Sequence, residues 1–156
     1  MCENEKRRTL WSGRKSSDVI RLHFGHHFTD VTTTIMMNIL YGSEFKTMLP
    51  KLKSDNFNGM ELIRPLYLVE ESVIEKWRDT YGLEFIHCAC PISDYKIANH
   101  DENLSKRDEV KKLIQSLKKT NKNVELRIFK SAENVNLDAI IEWKKDGKKY
   151  NYLDEY

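Results

Sequence analysis

The sequence predicts an α/β fold, in which helices flank a parallel sheet, and three observations support this class. Residues 19–24 form a short apolar run, typical of a strand buried on both faces, and the run ends at Gly25. Between residues 31 and 41 the apolar side chains recur at helical spacing. A second strand is predicted over residues 60–63, where an apolar segment is closed by Arg64-Pro65. Strand and helix signals that alternate in this way are typical of α/β proteins.

The other elements follow from the same signals along the chain. The helix predicted between residues 31 and 41 is expected to end at Gly42, because glycine beyond a helix C-terminus readily takes up the left-handed conformation. The polar stretch 43–59 is predicted to be a loop over the carboxyl end of the sheet, where α/β folds bind ligands. Asp146-Gly147 between strand-like flanks predicts a hairpin. Further helices are predicted over residues 2–15, over 70–81 with Gly82 as its end, and over 107–118 and 124–132. A last strand is predicted over residues 83–86.

Length and charge set limits on the function. The chain has 156 residues, the size of one ordinary domain, and 40% of them are apolar, enough for a core. A formal charge of +2, from 26 basic and 24 acidic residues, is too balanced to indicate nucleic-acid binding by itself. Basic clusters at residues 6–8, 144–145 and 148–149 ordinarily form solvated faces, and we assign a functional contact only to the first. No apolar run approaches the about 20 residues of a membrane span, so we expect a cytoplasmic protein without a membrane partner.

The segment 25–30, Gly-His-His-Phe-Thr-Asp, joins the first apolar strand to the helix after it and is the candidate ligand site. A helix N-terminus presents free backbone N–H groups and the positive end of the helix dipole, which suit a phosphate or nucleotide. Gly25 lets a ligand approach the backbone closely, and Asp30 is placed to orient a ribose, a metal ion or a phosphate-bound water. Alternatively, Asp30 only stabilises the helix N-terminus, by about 0.3–1 kcal/mol.

The order and spacing of these segments resemble the family that installs 2-thiocytidine in tRNA, a branch of the PP-loop ATPases. Its members typically carry G-H-H-x-D-D, a helix with an Asn, F-Y-G-G-x-x-K-x-M-P-P-K-L, and R-P-L with a Glu shortly after. The resemblance covers roughly residues 2–95, with Thr29 in place of the first Asp and Ser43 in place of the second Gly. The matching residues are Gly25, His26, His27, Asp30, Asn38, Tyr41, Gly42, Lys46, Met48, Pro50, Lys51, Leu52, Arg64, Pro65, Leu66 and Glu71.

The resemblance implies a partial Rossmann-like sheet of the adenine nucleotide alpha hydrolase type. Residues 1–98 would be the C-terminal half of a PP-loop ATPase-like domain, and residues 99–156 a helical tail with a hairpin. The family's S-G-G-x-D-S loop, which holds the ATP pyrophosphate, has no counterpart in this sequence. We therefore expect the C-terminal part of a longer or split enzyme, which by itself binds ATP weakly or not at all. The resemblance implies that ATP and Mg²⁺ bind at the corner formed by Lys6, Gly25, His26, His27 and Asp30.

The cysteines Cys2, Cys88 and Cys90 form an odd set, which favours metal or redox chemistry over a disulfide framework. In the resembled family, a C-x-x-C pair and a later Cys hold a [4Fe–4S] cluster whose open iron handles sulfur. The resemblance implies that Cys2 is the second member of the pair and that Cys90 fits the later position, with Cys88 as a second candidate. Two alternatives stay open: the thiols pack as small hydrophobic groups, or a zinc site forms from His26 or His27 with Cys88 and Cys90.

For the reaction, the resemblance implies ATP-dependent 2-thiolation of a cytidine in the anticodon loop of tRNA, by adenylation of the base and then sulfur transfer. The expected partners are tRNA and a companion polypeptide or second copy of the chain that completes the enzyme. The candidate RNA contacts in the predicted loop are Lys46, Lys51 and Lys53. Two other interpretations stay open. The chain is a noncatalytic remnant or accessory protein that binds tRNA or a partner chain, or a PP-loop enzyme with a different acceptor.

Overall fold

The computed structural model describes residues 20–55, 59–84 and 105–155. In these ranges the helices are α1 (Phe28–Gly42), α2 (Glu71–Tyr81), α3 (Lys106–Thr120) and α4 (Val124–Glu133). The strands are β1 (Ile20–His23), β2 (Lys51–Lys53), β3 (Met60–Ile63), β4 (Glu142–Lys145) and β5 (Lys148–Asn151). Two short 3₁₀ turns cover Leu137–Ala139 and Tyr152–Glu155.

The central sheet has the strand order β1-β3-β2, which confirms the predicted α/β class. β1 and β3 are parallel, with Leu22 opposite Leu62, while β2 runs antiparallel to β3 and places Leu52 opposite Leu62 as well. The prediction that residues 43–59 form only a loop is wrong, because this stretch contains β2. β2 has only three residues, two of them lysines, which are too few to show strand periodicity in the sequence. The strand forms through its pairing with β3.

β1 is more exposed than its apolar sequence predicted. Arg21 and His23 are exposed, so the strand is not buried on both faces. Within the described residues β1 has a strand neighbour on one side only, which leaves it at a sheet edge. β3, with neighbours on both sides, buries Met60 and Leu62 instead. An ion-pair ladder crosses the sheet, because Glu61 contacts Arg21 at 3.2 Å and Lys51 at 2.9 Å.

The main core lies where α1 packs against α3 and α4. Val31 and Ile35 of α1 are fully buried, as their helical spacing predicted. Ile39 and Leu40, predicted on the same stripe, are 44% and 49% exposed, so the buried part of this stripe ends at Ile35. The buried residues of this cluster are Phe28, Val31, Ile35, Tyr67 and Phe129.

The helix ends follow local chemistry. Gly82 ends α2 in the left-handed conformation at φ +59°, as predicted. In α1 the left-handed residue is Ser43, at φ +50°, one position beyond the predicted Gly42. Ser105 opens α3 with a capping box, since its side chain accepts a hydrogen bond from the Asp108 N–H and the Asp108 carboxylate accepts one from the Ser105 N–H.

The predicted C-terminal hairpin is confirmed as β4–β5. Asp146 and Gly147 form its two-residue turn at φ +51° and +76°, the positive φ values that a type I′ turn requires. The predicted helix 2–15, most of the predicted strand 83–86 and the domain boundary at residues 98–99 lie outside the described residues. In the described part of the chain, no helix is both long and apolar enough to cross a membrane.

We expect Phe129→Ala to lower the free energy of unfolding by about 3–5 kcal/mol, because a buried aromatic side chain would leave a cavity. The Phe129 ring lies 5.2 Å from the ring of Phe28 and 5.9 Å from that of Tyr67. Urea denaturation measures the change. Leu126→Ala on the same helix, where the side chain is 48% exposed, is the control and should cost less than about 1 kcal/mol. Equal losses in the two variants would contradict this account of the core.

Candidate functional site

The candidate site lies at the carboxyl edge of the two parallel strands. β1 ends at His23 and β3 ends at Ile63, so the segments after them leave the sheet on the same side. The Phe24 N–H donates to the Ile63 carbonyl at 2.9 Å, which keeps the two segments side by side beyond the strands. This edge is where open α/β sheets bind their ligands. The segment 25–30 therefore lies where the sequence placed it.

Gly25 is exposed and has open space where a side chain would stand. A Cβ built at this residue meets no heavy atom of the described residues within 4 Å, and Gly25 is not among the residues with positive φ. The protein's own packing does not require glycine here. Open backbone at a sheet edge leaves room for the close approach of a ligand.

The first turn of α1 is less free to bind an anion than the sequence indicated. The Phe28 N–H donates to the Val69 carbonyl at 2.8 Å. The N–H groups of Asp30 and Val31 both donate to the His27 carbonyl, and the His27 N–H donates to the Asp30 carboxylate at 3.2 Å. The expectation of free N–H groups therefore fails at these four residues, because the chain itself satisfies them.

Asp30 joins α1 to α3. One carboxylate oxygen accepts a hydrogen bond from the Arg107 guanidinium, and the other lies 3.4 Å from Nε2 of His27. The Asp30 side chain is only 14% exposed, so these contacts form away from bulk water. Burial raises the pKa of Asp30, but the His27 N–H, the His27 imidazole and the Arg107 guanidinium outweigh it and lower this pKa below its ordinary value.

The cluster continues to α2 through Glu71. His27 Nε2 lies 3.6 Å from a Glu71 carboxylate oxygen, and Lys111 Nζ lies 3.2 and 3.3 Å from the two oxygens of that carboxylate. Three helices thus meet in one charged cluster, which we call the helix clamp: His27, Asp30, Glu71, Arg107 and Lys111. Sequence reasoning named His27 and Asp30 as site residues, matched Glu71 to the family, and missed Arg107 and Lys111. The only signal for those two was their spacing of four residues along a predicted helix.

The helix clamp limits what Asp30 can do chemically. Both of its oxygens already have cationic or hydrogen-bond partners, so a ribose or metal ion would have to share or displace them. Within residues 20–55, 59–84 and 105–155, no three His, Cys, Asp or Glu side chains are arranged to hold a metal ion. His26 packs against Phe24, with ring centroids 5.5 Å apart.

A second set of contacts joins two of the matched motifs. The Tyr67 hydroxyl donates to the Met48 carbonyl at 2.9 Å, and the Arg64 guanidinium donates to the Leu49 carbonyl. The Arg64 N–H donates to the Pro50 carbonyl at 2.9 Å. Residues 48–50 therefore lie directly against the segment that follows β3. The two motifs are close in space because backbone carbonyls of one accept hydrogen bonds from the other.

The lysines proposed to contact RNA have different surroundings. Lys46 forms an ion pair with Glu44, and Lys51 forms one with Glu61. Lys53 is exposed and has no ion pair among the described residues. The remaining predicted site residues, Lys6, Cys2, Cys88 and Cys90, lie outside the described residues.

We expect Asp30→Asn to lower the free energy of unfolding at pH 7 by about 1–3 kcal/mol, because Arg107 loses its charged partner. The pKa of Asp30 is lowered in the folded state, so its stabilisation is present above the unfolded pKa of about 3.9 and is lost as the pH falls through the folded value. Urea denaturation of both proteins between pH 7 and pH 3 should show the difference shrinking. Glu44→Gln, at an exposed ion pair, is the control and should change stability little. A difference that stays constant with pH would contradict the ionic role.

Comparisons with known proteins indicate the family to which this chain is related. No family model matches the chain. The tRNA-cytidine(32) 2-sulfurtransferase of Vibrio campbellii is 34% identical over 135 residues, which cover 86% of this chain and 42% of that protein. The tRNA-cytidine(32) 2-sulfurtransferase 2 of Francisella tularensis is 30% identical over 135 residues, which cover 86% of this chain and 50% of that protein. The chain thus spans between 42% and 50% of the length of these two relatives.

A solved structure supports the fold assignment. The U34-tRNA thiolase NcsA from Methanococcus maripaludis, solved with its [4Fe-4S] cluster, superposes with a TM-score of 0.52 and 24% sequence identity. The match covers 79% of this chain and 38% of that one. At this identity the likeness concerns the fold, and it confirms the predicted Rossmann-like architecture. The sequence identity to these two sulfurtransferases, with the shared fold of the thiolase, supports the assignment of the chain to the tRNA thiolation family.

Proposed function

We propose that this chain takes part in the ATP-dependent 2-thiolation of a cytidine in the anticodon loop of tRNA. The observation that carries the proposal is the 34% identity over 135 residues to a protein named for that reaction. The structure supports it by bringing the matched residues Gly25, His27 and Glu71 to one edge of the sheet. The relatives do not favour a noncatalytic role.

The proposed reaction has two steps. The oxygen on C2 of the cytidine attacks the α-phosphate of ATP, and pyrophosphate leaves. A sulfur nucleophile then adds to C2, and the activated oxygen leaves as part of AMP. Both steps need the reactants to be held in line and their charge to be stabilised, more than they need covalent help from the protein. Sulfide would supply the sulfur directly, whereas a persulfide would leave a disulfide on C2, which a second thiol would cleave to release the thione and a new disulfide.

ATP would bind at the carboxyl edge, against Gly25, His26, His27 and Asp30, with Lys6 at the phosphates. The open space beside Gly25 supports close approach of the nucleotide. His27 and Asp30 would act mainly through the helix clamp, which holds the N-terminus of α1 against α2 and α3. Mg²⁺ would arrive with the nucleotide, because this ion is commonly bound by phosphates and one or two carboxylates.

A [4Fe–4S] cluster would be held by Cys2 and Cys90, with Cys88 as the further thiolate. The donor set fits the group, since iron–sulfur clusters are ligated by cysteine thiolates. When bound, such a cluster supplies an iron site for sulfur. Cys2, Cys88 and Cys90 would act as its thiolate ligands.

A companion polypeptide or a second copy of the chain is also part of the proposal. The relatives extend well beyond the span that this chain matches. The outer edge of β1 carries no strand within the described residues, and a further strand there would complete the parallel sheet. A tRNA-modifying role would place the assembly in the cytoplasm.

The proposed function is tested by nucleoside analysis in a bacterial host that lacks its own 2-thiocytidine. The coding region is expressed with its genomic neighbours, and digested tRNA is analysed by mass spectrometry. We expect 2-thiocytidine with the unchanged chain and a loss of at least about 100-fold with Cys90→Ser, because a cluster ligand is removed. Cys88→Ser tests whether the second thiol is a ligand. Absence of 2-thiocytidine in every combination would overturn the proposal, and full activity of the double variant Cys88→Ser/Cys90→Ser would exclude the cluster.

Gly25→Val tests the ATP assignment. We expect thermal stability within about 0.5 kcal/mol of the unchanged chain, because a Cβ at this exposed residue meets no heavy atom of the described residues within 4 Å. Thiolation in the reconstituted system should show at least a tenfold higher KM for ATP, since the branched side chain occupies the proposed nucleotide space. Gly25→Ala serves as the graded control, with a smaller rise. An unchanged KM in both variants would exclude Gly25 as a contact of ATP.

A further inference from the structure

The β4–β5 hairpin places four lysines in two opposed pairs. In the strand register Lys144 lies opposite Lys149, and Lys145 lies opposite Lys148 beside the turn. Like charges directly opposite each other on two strands are destabilising. Two such pairs in one short hairpin therefore lower the stability of the folded chain. An anion that binds between the two lysines of a pair would relieve their repulsion.

The pair beside the turn carries the excess charge. Lys149 Nζ lies 3.1 Å from a Glu142 carboxylate oxygen, which compensates part of the inner pair. Lys145 and Lys148 have no ion pair among the described residues, and both are exposed. The neighbouring acidic residue in the turn, Asp146, is exposed and forms no ion pair in the described part of the chain.

The same face of the hairpin carries two aromatic rings. Side chains alternate between the faces of a strand, so Trp143 shares a face with Lys145, and Tyr150 shares that face with Lys148. The two rings stack with centroids 5.6 Å apart and planes inclined by 11°. Tyr150 is 37% exposed, so part of it remains accessible. Cations beside exposed aromatic rings are the combination by which proteins hold unpaired RNA.

The hairpin lies beside the loop that follows α1. Phe45 of this loop and Ile140, Ile141 and Glu142 before and in β4 line one cavity of about 640 Å³. The loop continues into residues 48–50, which contact the segment after β3 at the candidate site. Glu142 lies on the opposite face of the hairpin from Lys145, Lys148 and Tyr150, so these three side chains face away from this cavity.

We propose that the β4–β5 hairpin is an RNA-binding surface, on which Lys145 and Lys148 contact phosphates of a single-stranded loop and Tyr150 contacts a base or ribose. This inference rests on the proposed function for the identity of the RNA, which is the anticodon arm of a tRNA. Single-stranded RNA fits better than a duplex, because only unstacked bases can reach an aromatic ring.

The test is fluorescence anisotropy with a labelled anticodon stem-loop and the full chain at several salt concentrations. Lys145→Gln/Lys148→Gln should weaken binding about tenfold near 0.1 M salt and lower the slope of log K against log salt by about 1.4, because two phosphate contacts are lost. The control Lys112→Gln/Lys119→Gln has the same change of charge on exposed positions of α3. The control should keep the affinity of the unchanged chain within about twofold. Circular dichroism checks that both variants fold.

The outcomes separate this inference from the proposed function. If the unchanged chain supports 2-thiocytidine formation and the hairpin variant binds RNA as tightly as the control, the hairpin assignment is wrong and the function stands. If no 2-thiocytidine forms but the hairpin variant still loses stem-loop binding, the surface is confirmed and the function fails. Equal binding of a polyglutamate peptide or of anionic vesicles, lost in the same variant, would overturn the assignment to RNA.

Discussion

The arrangement of the candidate site depends on the charged cluster that holds the N-terminus of α1. Asp30 pairs with Arg107 of α3, and His27 lies between Asp30 and Glu71 of α2. Lys111 of α3 closes the cluster on Glu71. A partly buried ion pair adds little net stability over an apolar contact, but loss of one partner strands the other charge and is costly. The cluster thus fixes geometry more than it adds stability, and it sets the direction in which segment 25–30 leaves the sheet.

The helix clamp also fixes the residue at which α1 begins. The helix N-terminus satisfies its N–H groups with the carbonyls of His27 and Val69 and the carboxylate of Asp30, so α1 begins at a defined residue. Gly25, just before it, keeps an open backbone. In segment 25–30, the helix clamp therefore holds the start of α1 in place, while Gly25 stays accessible. A ligand would contact Gly25, and the clamp would keep this residue in position.

The matched motifs are also joined through backbone groups. Arg64 and Tyr67 donate to the carbonyls of Leu49 and Met48, so a loop without regular structure is held against the segment after β3. Every residue type at positions 48 and 49 would offer a backbone carbonyl. The position of this loop therefore depends on the two donor side chains, Arg64 and Tyr67, and on the length of the loop. Asn38 adds a similar tie near the end of α1, because its side-chain amide donates to the Lys46 carbonyl at 3.0 Å. Hydrogen bonds of this kind position a loop without burying it.

The sequence by itself determined the elements whose signals are local. The spacing of Val31 and Ile35, the glycine after Tyr81 and the Asp146-Gly147 turn predicted their elements correctly, because periodicity and positive φ depend on neighbouring residues. The motif order also identified the family. Only the tertiary structure decided that β2 is a strand, that Ile39 and Leu40 stay exposed, and that Arg107 and Lys111 reach Asp30 and Glu71. Each of these depends on which elements pack together, and contacts between residues 40 or 77 positions apart leave no periodic trace in the chain.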